Sequence, residues 1–165
     1  MTEDPLQPLA RVQVHDGAAA SEPAAVTAPV LVDVVDAPLD VAAHERAVQH
    51  RAAGAHVVFQ GVVRDHDSDR HVLELEYEGH PSAAQVLREI ADEFAADPDV
   101  IALAVSHRVG KLAIGDVALV AAVATAHRGE AFALCARLVD EVKARLPIWK
   151  RQVFDDGTDE WVNCP

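Results

Sequence analysis

The sequence predicts a single domain of the α+β class, a mixed antiparallel sheet with flanking helices. Three observations carry that expectation. A chain of 165 residues with 50% apolar residues can bury one core of ordinary size but not two. Runs of strand character and runs of helical spacing follow one another without strict strand–helix–strand alternation. The most apolar run, 116–126, has the all-round hydrophobicity of a strand covered on both faces, so it is expected at the centre of its sheet.

Residues 1–28 are rich in alanine, proline, acidic and small side chains with little to bury. They are expected to form a disordered extension ahead of a domain spanning 29–165. Within the domain, 30–35 is a short β-branched run and a first strand. Asp40 suits an N-cap and opens a helix to about Arg51. Residues 55–64 make the next strand, with Gly61 marking a bulge or a close approach. A polar loop, 65–70, leads into 71–78, where Val72, Leu73, Leu75 and Tyr77 stand among Glu74, Glu76 and Glu78 as in a half-buried strand. Pro81 suits a first helical turn, and Ala84, Val86, Leu87, Ile90, Ala91 and Phe94 recur at helical spacing up to Asp97-Pro98. Strands at 100–109 and 116–126 are joined by 110–115. A helix over 130–145 presents Phe132, Leu134, Cys135, Leu138, Val139, Val142 and, just past its end, Leu146, and Pro147 stops it. Residues 148–154 form a short last strand, followed by a tail that holds Trp161.

The formal charge of −13 argues against nucleic acid as a partner, because neutralising phosphates needs a basic face. No apolar run approaches the ~20 residues of a membrane helix, and the first residues lack the basic and apolar regions of a signal peptide. The expected location is the cytoplasm. Cys135 and Cys164 form neither a CxxC nor a disulfide framework. The nine histidines make no HxH, HExxH or Hx3H pattern, so neither a metal nor a cofactor is expected.

A local cationic pocket would stand out against this acidic background. The chain has only Lys111, Lys143 and Lys150, and the last two bracket Arg145-Leu-Pro-Ile-Trp149. A helix end that feeds a proline and then a strand brings both ammonium groups near the turn, with the Trp149 ring as a wall. The structural alternative for Lys143 is to complement the helix dipole. His127-Arg128 closes the apolar strand and opens the next helix, where backbone N–H groups favour an anion and the arginine fork suits phosphate or carboxylate. A cap and a solvated charge are the plain alternative there. His107-Arg108 ends the preceding strand and reads as structural. Arg64, at a strand end beside His66, gains weight only if the strand ends converge. If they do, Arg64, His127, Arg128, Lys143, Lys150 and Arg151 form one cationic site for an anionic substrate. Clustered cations ease proton loss from a lysine, which suits it to proton transfer or attack.

The motifs agree in order and spacing with a known family from about Val30 to Trp161. Phe59-Gln-Gly-Val-Val-Arg64, Leu75-Glu-Tyr-Glu78, His107-Arg-Val-Gly110 with Leu112 and Gly115-Asp116, Ala126-His-Arg128 with Ala131-Phe132, and Lys143-Ala-Arg-Leu-Pro-Ile-Trp-Lys150 resemble the large, catalytic subunit of molybdopterin synthase. The resemblance implies an α/β hammerhead-type fold and a homodimer with a small ubiquitin-like sulfur-carrier subunit at each end. The carrier's C-terminal Gly-Gly, thiocarboxylated at its last residue, threads into a pocket of the large subunit. Two sulfurs, one per carrier, pass to cyclic pyranopterin monophosphate and give the dithiolene of molybdopterin. The same resemblance makes Lys143 and Lys150 catalytic, and makes Arg64, His127 and Arg128 binders of the anionic pterin or the carrier terminus. Sulfur comes from the carrier, so no cysteine of this chain is needed.

The chain departs from the family pattern at Gln152, where glutamate is common, and at Asp65 and Asp67, which flank His66 where asparagines are frequent. His80 and Ser82-Ala-Ala84 replace an aromatic and a methionine. Two alternatives stand beside the synthase. One is a carrier- or pterin-binding module of the same fold without turnover; the other is an unrelated acyl-transfer or anion-binding enzyme that needs no carrier.

Overall fold

The computed structural model describes residues 29–67 and 69–163. The disordered extension expected at 1–28 lies outside the described residues, as does Cys164. Along the chain run β1 (Leu31–Val35), α1 (Val41–Ala47), β2 (Ala55–Val62), β3 (His66–Asp67), β4 (Arg70–Gly79), α2 (Ala83–Ala95), β5 (Ala102–Arg108), β6 (Gly110–Leu112), β7 (Val117–Thr125), α3 (Arg128–Arg145), β8 (Ile148–Phe154) and β9 (Asp159–Asn163). β1, β5, β7 and β2 form a four-stranded sheet in that order. β1 is parallel to β5, and the other pairs are antiparallel. A second, five-stranded sheet runs β3-β4-β8-β9 with β6 also on β4, antiparallel throughout. The domain is α+β, with a mixed sheet and flanking helices.

Period-two alternation in the first sheet sorts its side chains into two cores. On one face Leu103, Val105, Ala121 and Val123 meet Leu87, Ile90 and Phe94 of α2 and Leu134, Leu138 and Val142 of α3. On the other face the strands turn to alanine, and Ala102, Ala104, Ala122 and Ala124 pack with Val48 just beyond α1. β7 sits between β5 and β2, which is the central place its composition predicts. A third cluster of Val63, Leu75, Leu112 and Ala118 ties the second sheet to the first.

Asp40 caps α1 by accepting the Ala43 N–H at 2.9 Å. The helix stops at Ala47 rather than near Arg51 because a local turn competes with it. The His50 ring accepts the Ala52 N–H at 3.1 Å and the His50 carbonyl accepts the Ala53 N–H at 3.0 Å, an alternative that short polar side chains and rings offer a backbone. Gly54 follows because any Cβ there would lie 2.3 Å from the Ala126 carbonyl oxygen. At Gly61 both expectations hold: the ladder with β7 shifts register between Gly61 and Val62, and an added Cβ would meet Leu119 Cβ at 3.3 Å.

Three segments read as loop or tail carry short strands, namely β3, β6 and β9. Their apolar content is too low for periodicity to show them, and they exist because β4 and β8 supply partners. α3 begins at Arg128 instead of Glu130, and its buried side is the expected one at Leu134, Cys135, Leu138, Val139 and Val142, differing only near its start. Ala131 is fully buried while Phe132 is 65% exposed. In α2, likewise, Ala83 is buried in place of Ala84.

Candidate active site

A cavity of about 440 Å³ opens where the two sheets meet the end of α3, and Arg64, Tyr77, His107, Lys143, Lys150 and Gln152 supply its polar lining. Gly61, Leu75, Leu119 and Ile148 belong to its wall. The register of β8 decides which side chains reach it. Lys150 faces Tyr77 of β4 and Gln152 faces Leu75, so Ile148, Lys150 and Gln152 share the inward face.

Lys143 occupies the last turn of α3. The helix closes with Leu146 N–H on the Val142 carbonyl at 2.9 Å. Leu146 itself is extended, at φ −69 and ψ 120, as the residue before a proline must be. That stop turns the chain directly into β8 and places Lys150 on the same cavity as Lys143. Arg64 leaves β2 just past the Gly61 bulge and enters from the opposite wall.

Asp67 joins two of these cations. Lys150 Nζ donates to its Oδ2 at 3.3 Å and Arg64 Nη2 to its Oδ1 at 3.1 Å. Burial works to raise the Asp67 carboxyl, but the Lys150 charge and hydrogen bond, the Gln152 side chain and Arg64 outweigh it and hold the carboxyl below the usual carboxylate range. Lys143 has no such carboxylate partner among the described residues.

His107 is buried, with its ring edge-on to Tyr77 at 5.1 Å between centroids. Nδ1–H donates to the Arg108 carbonyl at 2.8 Å. Burial pushes the imidazole down from 6.5 to about 4, against that hydrogen bond, which favours the charged form. The unfolded chain therefore takes up a proton below pH 6.5 that the folded chain refuses until about pH 4. The stability this contributes is complete above pH 6.5 and is lost as the pH falls. Between pH 6.5 and 5 the expected loss is about 2 kcal/mol. Urea unfolding over that range checks it, and His107→Gln should flatten the slope.

The expected single cationic site is only partly assembled. Arg64, Lys143 and Lys150 come together. Arg151 points to the other face of β8, where it pairs with Asp159 at 3.0 Å and Glu76 at 3.9 Å; an odd–even shift in the strand is the whole reason. Trp149 shares that outer face and walls nothing in the cavity. His127 and Arg128 lie at the opposite end of α3, whose 18 residues span about 27 Å at ~1.5 Å per residue. His127 holds the N-cap position without a side-chain cap bond, so the cap does not describe its side chain, and within one chain it does not join the cavity. Tyr77, His107 and Gln152 were not expected at the cavity, whereas the negative charge of Asp67 was expected near the anion site and is found on two of its cations. For Tyr77 and Gln152 the signal was present as alternation along β4 and β8.

The family model for the MoaE protein matches residues 34–145, a span that holds Arg64 and Lys143. The molybdopterin synthase catalytic subunit of Oryza sativa subsp. indica is 39% identical over 131 residues, which cover 77% of this chain and 68% of that protein. The crystal structure of molybdopterin synthase from Staphylococcus aureus is similar with a TM-score of 0.73 and 31% identity, over 79% of this chain and 96% of that one. A chain from the complex of subunits 1 and 2 of molybdopterin-converting factor from Helicobacter pylori shares the fold, with a TM-score of 0.62 at 20% identity, over 84% of this chain and 90% of that one. With motif, fold and sequence matching across the domain, the chain belongs to the family of molybdopterin synthase catalytic subunits.

Proposed function

We propose that the chain is the sulfurtransferase subunit that converts cyclic pyranopterin monophosphate to molybdopterin with sulfur from a small thiocarboxylated carrier. The observation that carries this is the meeting of Arg64, Lys143 and Lys150, from three separate elements, on one cavity in a chain of charge −13. Thiocarboxylate and cyclic phosphate are both anions, and cations fixed in a partly enclosed site stabilise them without reorganising. Lys143, at the helix end, meets the carrier terminus and moves the proton at the pterin carbon. Lys150 holds the intermediate, and Arg64 binds the anion. Sulfur arrives on the carrier, in keeping with Cys135, whose thiol is buried and pushed up by that burial and so is a poor nucleophile. The fold-level likeness to a chain from a two-subunit complex is in keeping with a protein partner.

Incubating the purified chain with a thiocarboxylated carrier and cyclic pyranopterin tests the reading directly, with the dithiolene product as readout. Absence of product with every cognate carrier sinks it. Binding of both ligands without product would identify the non-catalytic module instead.

The homodimer implied by the family gives His127 and Arg128 a place. From the far end of α3 they can serve a cavity only across a contact between copies. Arg128→Ala and Lys143→Ala chains, each nearly inactive alone, should then complement when mixed. Random exchange makes half of the dimers mixed, each with one intact site, so about a quarter of the wild-type rate should return. No recovery would assign His127 and Arg128 to another task.

A further inference from the structure

Asp67 is the one acidic side chain that two of the cavity's cations hold among the described residues. Its Oδ1 takes Arg64 and its Oδ2 takes Lys150, and the nearby Gln152 side chain favours its charged form as well. Arg64 follows the bulged end of β2, Lys150 and Gln152 share the inward face of β8, and Asp67 rides on the two-residue strand β3. Three parts of the fold thus meet on one carboxylate. The Lys150 and Asp67 side chains are 21% and 23% exposed, so solvent screens this pair less than an open surface pair. A lysine stem is flexible and its ammonium has no fixed fork. A carboxylate partner that is itself held by a guanidinium removes most of that freedom.

We propose that Asp67 is a positioning residue of this site: it holds Lys150 Nζ and the Arg64 guanidinium at the separation an anionic substrate must bridge, leaving Lys143 free for the carrier terminus. This rests on the synthase reading above. Asp67 also offsets one of the three positive charges around the cavity, so it weakens ground-state attraction for an anion while it orders the groups that act during turnover. Removing its charge therefore separates the two effects. Binding of the anion tightens or stays level, and the chemical step slows because Lys150 is no longer held. Gln152 interacts with Asp67 from the inward face of β8 that it shares with Lys150, so exchanging the two functional groups keeps one carboxylate and one amide beside the lysine.

The test uses the complete assembly with its carrier and compares Asp67→Asn with the double variant Asp67→Asn/Gln152→Glu. Asp67→Asn should lower kcat by at least about tenfold, the scale set by misplacing a reacting group, with KM for the cyclic pyranopterin unchanged or reduced. The double variant should recover most of kcat. A purely structural role for Asp67 predicts neither the split between kcat and KM nor the rescue. Carbon-13 titration of the Asp67 carboxyl gives a readout without turnover: its midpoint should rise in Lys150→Met. Wild-type kcat in Asp67→Asn, or a double variant no faster than the single one, overturns the proposal. A carboxyl midpoint unmoved by Lys150→Met overturns it too. If the wild-type assembly makes no product, the synthase reading falls by itself, and the titration still judges the hold of Asp67 on Lys150.

Discussion

Lys143→Ala should reduce dithiolene formation by roughly 10²–10⁴-fold, the usual contribution of a positioned proton-transfer group. No neighbour can take its place. Arg145, two residues on, is bound to Glu93 at 2.6 and 2.8 Å and is pushed above its ordinary range by that hydrogen bond, so it gives up no proton. Lys150 is engaged by Asp67. Lys143 is exposed and contributes to folding only through the helix dipole, worth a few tenths of a kcal/mol in such a setting. The variant should therefore unfold at nearly the wild-type urea concentration, and single-turnover measurement reads the chemistry alone. A variant that kept most of its rate would transfer the central role to Lys150.

Leu138→Ala should cost about 2–5 kcal/mol of folding stability. Leu138 is fully buried in the core that joins α3 to α2 and to the first sheet, among Leu87, Ile90 and Leu103. Close-packed neighbours on two helices and a sheet relax only in part when the side chain is removed, so a cavity remains. The midpoint of urea unfolding is the measurement, and a shift equivalent to less than about 1 kcal/mol would mean that the helices collapse onto the space. Leu138 stands little more than one turn before Lys143, so the rate per folded molecule in the same variant shows how firmly the sheet holds the catalytic end of the helix.

The long elements were legible because their patterns are strong. Asp40 was readable as a cap, Gly61 as an irregularity, and 116–126 as a central strand. What the sequence concealed was mostly a matter of phase. Arg151 and Lys150 are adjacent in the chain, yet β8 sends them to opposite faces, and a burial assignment for one residue of the strand would have settled both. His127-Arg128 and Lys143-Lys150 looked convergent because each pair stands where a helix meets a strand, but they belong to opposite ends of one rod. Asp67 and Gln152 read as two separate departures, a carboxylate where amides are frequent and an amide where a carboxylate is common. In the fold Gln152 acts on the Asp67 carboxyl, so they are one exchange made across two strands, and no local pattern could have joined positions so far apart in the chain.

The scarcity of lysine has a practical meaning once each ammonium has its surroundings. Lys111 lies on the outer face of the second sheet, bound to Glu74 at 2.8 Å and held above its ordinary value by that hydrogen bond. The other two border the cavity. An amine-directed acylating reagent therefore has only three side-chain targets, and two of them report on the site. Peptide mapping after labelling becomes a footprint of cavity occupancy, in which Lys111 serves as the internal reference and any bound anion or carrier tail appears as protection of its two companions.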